Sequence, residues 1–533
     1  MPPKKDITEI ESLDGIVPPV IKDEETTKEI TELVDEKESA PHITHWISSN
    51  WGPWRRFRAY RQFRRDDKDD IWEKHDQKDN DIGKLPDTEH VQVPAIWVAE
   101  LYTPSNVDGL FRGIKKLKWE HGRLHNNDLL KWMSDVRQGR SAGWTSLGWV
   151  SNPQNASIMS DRTASLPKGV SASLPILMSL TPSITALVME FMFDEATADS
   201  LDSSLKADYT TKRTRRTHLR PWHTLSYILF NTVSPLGRSI YGPDSQRIAA
   251  VQSSLCKLEK GCVHWMHKNL PGVFASNLKG KLSPTALLLV TDVNAPLDKD
   301  SRLIRSFQGL SIDRDFDAWE SEEWPHARLA LPRTWDKEGL RLTFACRRHD
   351  AFPESPGYEN PTSNSTIALR ANDRIRGLLS RWALSCMLDG YHEQLSDLRD
   401  NSATRHTYKP IRDMKKLRTL VRTKLYDILT SSSEIEKFTD ADRAYKHEVI
   451  EMQYVRSPKD ARRELLSDLR FSQRHRAKQV RHEANLLQSV LSVSSEVSQT
   501  ISNIRIQRFV VLLTVVSISI ALFAVSLTTN ATP

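Results

Sequence analysis

The chain has 533 residues, 38% of them hydrophobic and 27% charged, which is ordinary for a folded protein and long enough for two folded units plus tails. The net charge of +7, on 75 basic and 68 acidic residues, is too small an excess for a dedicated nucleic-acid binder and suits work beside anionic lipid. The four cysteines lack framework spacing, which argues against a disulfide-built fold and favours reduced thiols. The first residues contain no apolar run, so we expect no cleavable signal peptide.

The N-terminal part of the chain is predicted to lack a core of its own. Residues 1–42 have too few apolar side chains to offset the entropy of ordering and are interpreted as a disordered acidic tail. Residues 43–89 hold the basic and aromatic segment WGPWRRFRAYRQFRR and a charged linker. This segment can lie on anionic lipid or stack on single-stranded nucleic acid, and a short helix docked on the folded domain is the alternative we favour. The arginines assigned to lipid contact are Arg55, Arg56, Arg58 and Arg61.

An α/β cytoplasmic domain is predicted over residues 90–360. The run VQVPAIWVAELY indicates a strand, and Ser105 is positioned as the N-cap of a helix that runs to Leu117. Two apolar runs flank Thr181-Pro182-Ser183, which predicts a hairpin or tight strand connection. Asp194 follows the second run and is positioned to cap a short helix. Strands alternating with helices indicate a mixed α/β fold.

The second half of this domain begins with an amphipathic helix. Its apolar side chains recur at steps of three and four before Pro271-Gly272: Ile248, Val251, Leu255, Leu258, Cys262 and Trp265. Strands are predicted at PTALLLVTD and LRLTFACRR. From about residue 361 to 457 only helical periodicity occurs, so this stretch is predicted to be a separate helical region.

Residues 458–508 are predicted to form a very long stalk helix, because Gly and Pro are absent between Pro458 and the last residue, Pro533. Apolar side chains in its lower part have the spacing of a and d positions in a coiled coil. Such a seam indicates helix packing, either between subunits of a homo-oligomer or within one subunit. The seam residues are Leu486, Val490, Val493, Val497 and Ile504.

Residues 509–527, FVVLLTVVSISIALFAVSL, are uncharged and are predicted to form a transmembrane helix continuous with the stalk. As a helix they extend roughly 28 Å, about the thickness of a bilayer core. Arg505 and Arg508 precede the span, so the positive-inside rule predicts a single-pass protein with its N-terminal body in the cytoplasm and residues 528–533 as a short external tail. Residues representing this span are Phe509, Leu513, Ser517 and Leu527.

Two groups of side chains could hold a metal ion. Asp313, Asp315 and Asp317 have the spacing of the first ligands of an EF-hand, but Ala318 replaces the glycine of its turn, and a solvated acidic loop is the alternative. Cys262 with His264 and His267 in one helix, and Cys346 with His349 in a strand region, offer zinc-type ligands. A buried cysteine acting as a small hydrophobe is the more common case. Phosphate-binding, dinucleotide-binding, zinc-protease and nucleophile-elbow motifs are absent from the sequence, so no catalytic or cofactor-binding residue is assigned.

The stalk residues RHEANLLQSVLSVSSEVSQTISNIRIQRF, joined to VVLLTVVSISIALFAVSL, resemble the architecture of the CorA-type divalent-cation channels. The resemblance implies an α/β cytoplasmic domain, a pentameric pore lined by the stalk and its membrane helix, and Mg²⁺ or another divalent cation as the transported ion. The Gly-Met-Asn motif of that family is replaced here by TTNATP, and its second membrane helix is missing. No ion-binding residue of the family therefore transfers to a numbered position.

Three functional hypotheses follow from the sequence. The first is a non-enzymatic, membrane-anchored adaptor, sensor or effector that forms a homo-oligomer through its stalk. The second is a CorA-like divalent metal-ion channel or a degenerate channel subunit. The third is a membrane-anchored enzyme whose site is assembled from distant residues.

Overall fold

The structure is a computed structural model, and it describes residues 70–121, 129–140, 143–155, 160–216, 237–276, 278, 283–296, 304–307, 310, 318–332, 340–352, 360–405, 424–455 and 463–529. Its side-chain description omits residues 70–74, 155, 213–216, 237–240, 304–305, 401–405, 490–506 and 519–529. The described residues within 70–212 and 241–529 form one compact unit, and residues 213–216 and 237–240 belong to a second. The larger unit carries the main sheet and the helices that cover it.

The described helices fall along the whole larger unit. They are α1 (Asp70–Gly83), α2 (Val107–Leu117), α3 (Leu129–Arg137), α4 (Glu195–Ala198), α5 (Asp202–Lys206), α6 (Pro243–Asn269), α7 (Val273–Ser276), α8 (Ile304–Phe307), α9 (Asn364–Arg405), α10 (Tyr426–Asp440), α11 (Asp442–Lys446) and α12 (Leu465–Thr529). The last of these is by far the longest, with 65 residues.

The described strands are β1 (Val91–Gln92), β2 (Ala95–Tyr102), β3 (Trp144–Ser146), β4 (Val150–Ser151), β5 (Arg162–Thr163), β6 (Val170–Ser179), β7 (Thr185–Phe193), β8 (Lys212–Arg216), β9 (Gly237–Tyr241), β10 (Thr285–Thr291), β11 (Ala318–Glu320), β12 (Ala327–Ala330), β13 (Arg341–Arg347) and β14 (Gln453–Tyr454). Twelve of them form one sheet in the order β14-β11-β12-β13-β10-β2-β7-β6-β4-β5, with β1 paired to β10 and β3 to β6. The strands β8 and β9 pair separately.

The sheet is mixed. At its centre β10 pairs in parallel with β13, where Leu288 lies opposite Phe344, and antiparallel with β2, where Thr285 lies opposite Val98. A parallel pair needs a long crossover, which the chain between these two strands supplies. The strands β2, β7 and β10 are buried along their whole length, as expected for strands covered on both faces.

Each face of the sheet carries its own hydrophobic core. On one face α9 lies against β2, β7 and β10, and α12 packs on α9 and α10. On the other face α6 lies against β2, and Trp265 of α6 stacks with Trp119 at a ring-centroid distance of 6.2 Å. The alternation of side chains along a strand sends successive residues of β2 to these two cores, so Trp97 belongs to the first and Val98 to the second.

Several elements predicted from the sequence are confirmed. The chain turns at Thr181-Pro182-Ser183 between β6 and β7, which pair antiparallel as a hairpin. Asp194 caps α4, since its side chain accepts a hydrogen bond from Thr197 N. The amphipathic helix is α6, whose residues Val251, Leu255 and Cys262 are buried.

Other local predictions were wrong. Ser105 does not cap α2; the N-cap is Asn106, and the Ser105 hydroxyl donates instead to Asp427. The region predicted to be helical over residues 361–457 is not helical throughout: α11 ends at Lys446, Glu448 has a positive φ of 54° that no α-helix continues through, and β14 follows.

The predicted fold class, a stalk helix continuous with a transmembrane helix, is wrong. Within the described parts of the chain, no helix is both long enough and apolar enough to cross a bilayer. A spanning helix needs about 20 consecutive, largely apolar residues. The side chain of Leu527 lies outside the described residues.

The single-pass membrane localisation with a cytoplasmic body rested on the same segment and is corrected with it. The metal-ion-transport prediction also required that span and loses its structural basis. What the structure shows is a mixed α/β unit with a 12-stranded sheet. The domain boundary predicted near residue 360 falls between β13 and α9, and both elements belong to the same compact unit.

Candidate functional site

The first part of α12 is a structural element of the larger unit. Its buried side chains recur at steps of three and four and pack against α9 and α10; they are Leu466, Leu469, Gln473, Ala477, Val480 and Ala484. Ion pairs flank this stripe, including Arg470 with Asp442 and Arg481 with Glu436, the latter at 2.6 Å. The stripe continues to Leu487, which is partly buried against the core.

The predicted coiled coil is therefore corrected. Leu486, the first residue of the predicted seam, is 53% exposed, while its neighbour Leu487 faces the core. The spacing of three and four that the structure shows on α12, from Leu466 to Ala484, serves packing within one chain. The side chains of Val490, Val493, Val497 and Ile504 lie outside the described residues.

Beyond this packed region α12 carries a run of exposed apolar side chains, which we call the apolar segment (Phe509–Ile518). Its large side chains are between 45% and 64% exposed: Phe509, Val510, Val511, Leu512, Leu513, Val515, Val516 and Ile518. Thr514 is polar, but its hydroxyl donates to the backbone O of Val510 at 2.8 Å. Ser517 is also exposed. Contiguous exposed apolar surface of this kind marks an interaction site.

The apolar segment has no single polar face. Because consecutive residues from Phe509 to Leu513 are all apolar, side chains project in every direction around the helix axis. One flat partner surface would leave much of this circumference in water. The arrangement fits a partner, or several partners, that surround the helix.

The other site residues predicted from the sequence lie largely outside the described parts of the chain. Asp313, Asp315 and Asp317 lie outside the described residues, as do Arg55, Arg56, Arg58 and Arg61. Across the described ranges no group of three or more His, Cys, Asp or Glu side chains could hold a metal ion. Cys262 and Cys346 belong to the cores on opposite faces of the sheet, so they cannot share a metal. Burial raises the pKa of the Cys346 thiol to about 12.

A buried polar group that the sequence reasoning missed lies on the face of the sheet next to α6, and we call it the Glu100 cluster (Glu100, His267 and Ser283). Glu100 is fully buried on β2, and its carboxyl accepts hydrogen bonds from Phe274 N at 2.8 Å and Ala275 N at 3.3 Å. His267, near the end of α6, places Nε2 at 2.6 Å from Ser283 Oγ and 3.5 Å from Glu100 Oε2.

Both ionisable groups of the Glu100 cluster are perturbed. Burial raises the pKa of Glu100 to about 8, although the hydrogen bonds from α7, Leu101 and Ser283 oppose that rise. Burial also lowers the pKa of His267, and the charge of His264 lowers it further. Near neutral pH the cluster therefore holds its proton on the carboxyl and keeps the imidazole neutral.

A serine, a histidine and a glutamate in contact suggest nucleophilic catalysis, but this geometry does not fit it. In a catalytic triad the carboxylate binds the imidazole nitrogen opposite the one that faces the serine. Here both Ser283 and Glu100 approach the same atom, His267 Nε2. Ser283 is also only 1% exposed. The cluster can hold and transfer a proton, and it is not arranged for attack on a substrate.

A second buried carboxyl, Glu190 on β7, lies on the opposite face of the sheet. Neither of its side-chain oxygens has a hydrogen-bond partner among the described residues. Burial raises the pKa of Glu190 well above its usual range, and the charge of Asp373 adds to that rise. The sequence contains a signal for both acids, since a glutamate interrupts each of two apolar strands, AIWVAELY and TALVMEFMF.

Comparison with known proteins gives no family for this chain. No protein-family model matches it, and no curated protein matches it. The resemblance to CorA-type channels is not tested by these comparisons.

Proposed function

We propose that the chain is a non-enzymatic interaction module of the adaptor or effector type, which assembles with further copies of itself through the apolar segment of α12. The observation that carries this proposal is the exposure of eight large apolar side chains between Phe509 and Ile518. Burying one Val, Leu or Phe side chain contributes about 1.5–3 kcal/mol, so covering this segment would stabilise an assembly substantially.

A second copy is the partner that the chemistry favours. Identical helices can surround one another and cover apolar side chains on all sides, whereas a flat surface covers one side. Burial would leave the Thr514 hydroxyl satisfied, because its hydrogen bond to Val510 O is made within the helix. Burying the hydroxyl of Thr514 in a protein interface would therefore cost little free energy.

The position of the apolar segment also suits assembly. The helix α12 is packed on its own unit up to Leu487 and then continues for about 60 Å to Thr529, at 1.5 Å per residue. Copies joined through the apolar segment would keep their sheet-containing units clear of one another. In such a protein the helix joins the copies, and the α/β unit provides the surface that each copy contributes.

The proposal is tested by the mass of the full-length protein in solution. The variant combines Val511→Asp with Val515→Asp, which lie one turn apart and are 62% and 57% exposed. The control combines Ser472→Asp with His475→Asp, which places two charges on exposed positions of the packed part of the same helix. Light scattering after size-exclusion chromatography should give an oligomer for the wild type and the control and a monomer for the variant.

Two results would overturn this assignment. One is a wild-type protein that remains monomeric across micromolar concentrations. The other is an oligomer whose mass the Val511→Asp and Val515→Asp changes leave untouched. Depletion of the protein by neutral phosphatidylcholine vesicles, in place of self-association, would assign the segment to a different partner and would also refute the proposal.

A further inference from the structure

The connection between α6 and α7 is attached to the sheet by two side chains of β2. Glu100 accepts hydrogen bonds from the backbone N–H groups of Phe274 and Ala275, which begin α7. Tyr102 donates from its hydroxyl to the backbone O of Leu270 at 2.7 Å. Gly272 lies between them, and a Cβ at this position would come within 2.5 Å of Glu100 Cγ. The close fit means that the state of Glu100 is coupled to the position of this connection.

The Glu100 cluster also links this buried carboxyl to the surface. His267 Nε2 contacts both other residues, at 2.6 Å from Ser283 Oγ and 3.5 Å from Glu100 Oε2, and Ser283 is close enough to Glu100 to lower the pKa of its carboxyl. Glu100 is 0% exposed and Ser283 is 1% exposed, whereas the His267 side chain is 23% exposed. The three side chains therefore run in order from the interior to solvent.

We propose that Glu100, Ser283 and His267 form a proton relay through which the bulk pH controls how firmly α7 and the turn before it are attached to the sheet. The neutral state gives every hydrogen a place: Glu100 donates its carboxyl proton to Ser283 Oγ, and the Ser283 hydroxyl donates to His267 Nε2. Nε2 is then an acceptor, so His267 carries its own proton on Nδ1. When Glu100 ionises, its proton passes to Ser283 Oγ and the Ser283 hydroxyl proton passes to His267 Nε2. His267 then releases its Nδ1 proton to solvent.

The groups that face Glu100 from each neighbouring element define its titration. From α6 comes His267, whose own protonation is disfavoured by burial and by His264. From β2 comes Tyr102, whose pKa is raised by burial and by the charge of Glu100. From α7 come only backbone N–H groups, and from the segment just before β10 comes Ser283.

The direction of the pH effect follows from linkage. The pKa of Glu100 lies near 8 when the carboxyl is buried and near 4.5 when it is exposed to water. Attachment of α7 therefore weakens as the pH rises towards 8, and most steeply above about pH 6.5, because below that value the lowered pKa of His267 opposes the effect of Glu100. Over this interval the equilibrium constant for a local opening that exposes Glu100 should rise by up to tenfold per pH unit.

Hydrogen exchange across a pH series tests this inference on the full-length protein. After correction for intrinsic exchange rates, protection of the amides of Phe274 and Ala275 should fall by up to tenfold per pH unit in the wild type. Glu100→Gln should remove that slope, because the amide does not ionise. Glu190→Gln is the matched control, since it removes a buried carboxyl that is not bonded to α7, and it should keep the wild-type slope.

A second measurement tests the relay itself and does not require Glu100→Gln to fold. Infrared spectra of the wild type at neutral pH should show the C=O band of a protonated carboxyl, and Ser283→Ala should move the Glu100 contribution to that band because the acid loses its hydrogen-bond acceptor. A wild-type slope that persists in Glu100→Gln would overturn the proposal. So would an acid band that Ser283→Ala leaves unchanged.

Discussion

Gln473 of α12 donates a hydrogen bond from Nε2 to the backbone O of Arg381 in the middle of α9, at 2.7 Å. Its other side-chain atom, Oε1, accepts a bond of 2.9 Å from the hydroxyl of Tyr445. Arg381 in turn donates to the backbone O of Tyr445 at 3.0 Å. One buried side-chain amide thus joins α9, α11 and α12, and its loss should weaken the packing of all three helices.

We expect Gln473→Leu to lower the free energy of unfolding by about 2–4 kcal/mol, because the Arg381 carbonyl and the Tyr445 hydroxyl would remain buried without this partner. Urea unfolding followed by circular dichroism measures the change. Ser472→Ala, at the exposed neighbouring position, should change stability by less than about 0.5 kcal/mol. Equal stability of Gln473→Leu and the wild type would contradict the assignment.

Glu190→Gln should stabilise the protein at neutral and alkaline pH. The folded state holds a proton on Glu190 that the unfolded chain releases above about pH 4.5, so wild-type stability falls as the pH rises from that value. The difference between variant and wild type should grow by about 1.4 kcal/mol per pH unit until Glu190 ionises. Urea unfolding at several pH values measures this difference. The contribution of Glu100 to the pH dependence of stability is the same in both proteins and cancels. A difference that does not depend on pH would refute the prediction.

Glu89→Gln should have the opposite effect and destabilise the protein. Glu89 is fully buried, and both of its oxygens are occupied: one accepts from Asp292 N and Val293 N, and the other from the backbone N and side-chain Nδ2 of Asn294. In the variant the side-chain NH2 group would face N–H donors and could not accept from them. We therefore expect the free energy of unfolding to fall by about 2–4 kcal/mol. Thermal unfolding at pH 7 compares it directly with Glu190→Gln. An unchanged melting temperature would show that the segment from Asp292 to Asn294 is not stabilised by the Glu89 carboxylate.

Two helical glycines should respond to alanine in opposite directions. At Gly377 on α9 a Cβ would overlap the backbone O of Glu448, so Gly377→Ala should destabilise the protein by about 1–3 kcal/mol. At Gly261 on α6 a Cβ would meet nothing within 4 Å, so Gly261→Ala should stabilise by about 1 kcal/mol through helix propensity. Melting temperatures of the two variants should therefore move apart. Shifts in the same direction would contradict the close packing at Gly377.

Features set by local chemistry could be predicted from the sequence. The turn at Thr181-Pro182-Ser183 follows from the proline and its polar neighbours. The cap at Asp194 follows from a carboxylate that lies three residues before the backbone N–H of Thr197, in the first turn of the helix. The role of Ser105 could not be predicted, because its hydroxyl bonds to Asp427, more than three hundred residues further along the chain. Only the fold brings those two side chains together.

Hydropathy was the most misleading signal. The apolar run after Phe509 indicated a membrane span, and the structure offers no helix in its described ranges that meets the requirement. The Glu100 cluster had the opposite problem: Glu100, His267 and Ser283 are scattered in sequence and match no motif. Their one local sign was a carboxylate within an apolar strand, which indicates burial of a charge but not its partners.

The order of strands in the sheet bears on how the chain is made. The strand β2 ends at Tyr102, yet its neighbour β10 starts only at Thr285 and the strand β14 at Gln453. The covering residues Leu465 and Leu466 come later still. During translation β2 therefore keeps apolar side chains uncovered until Leu465 and Leu466 have emerged, which makes the nascent chain a natural client for chaperones.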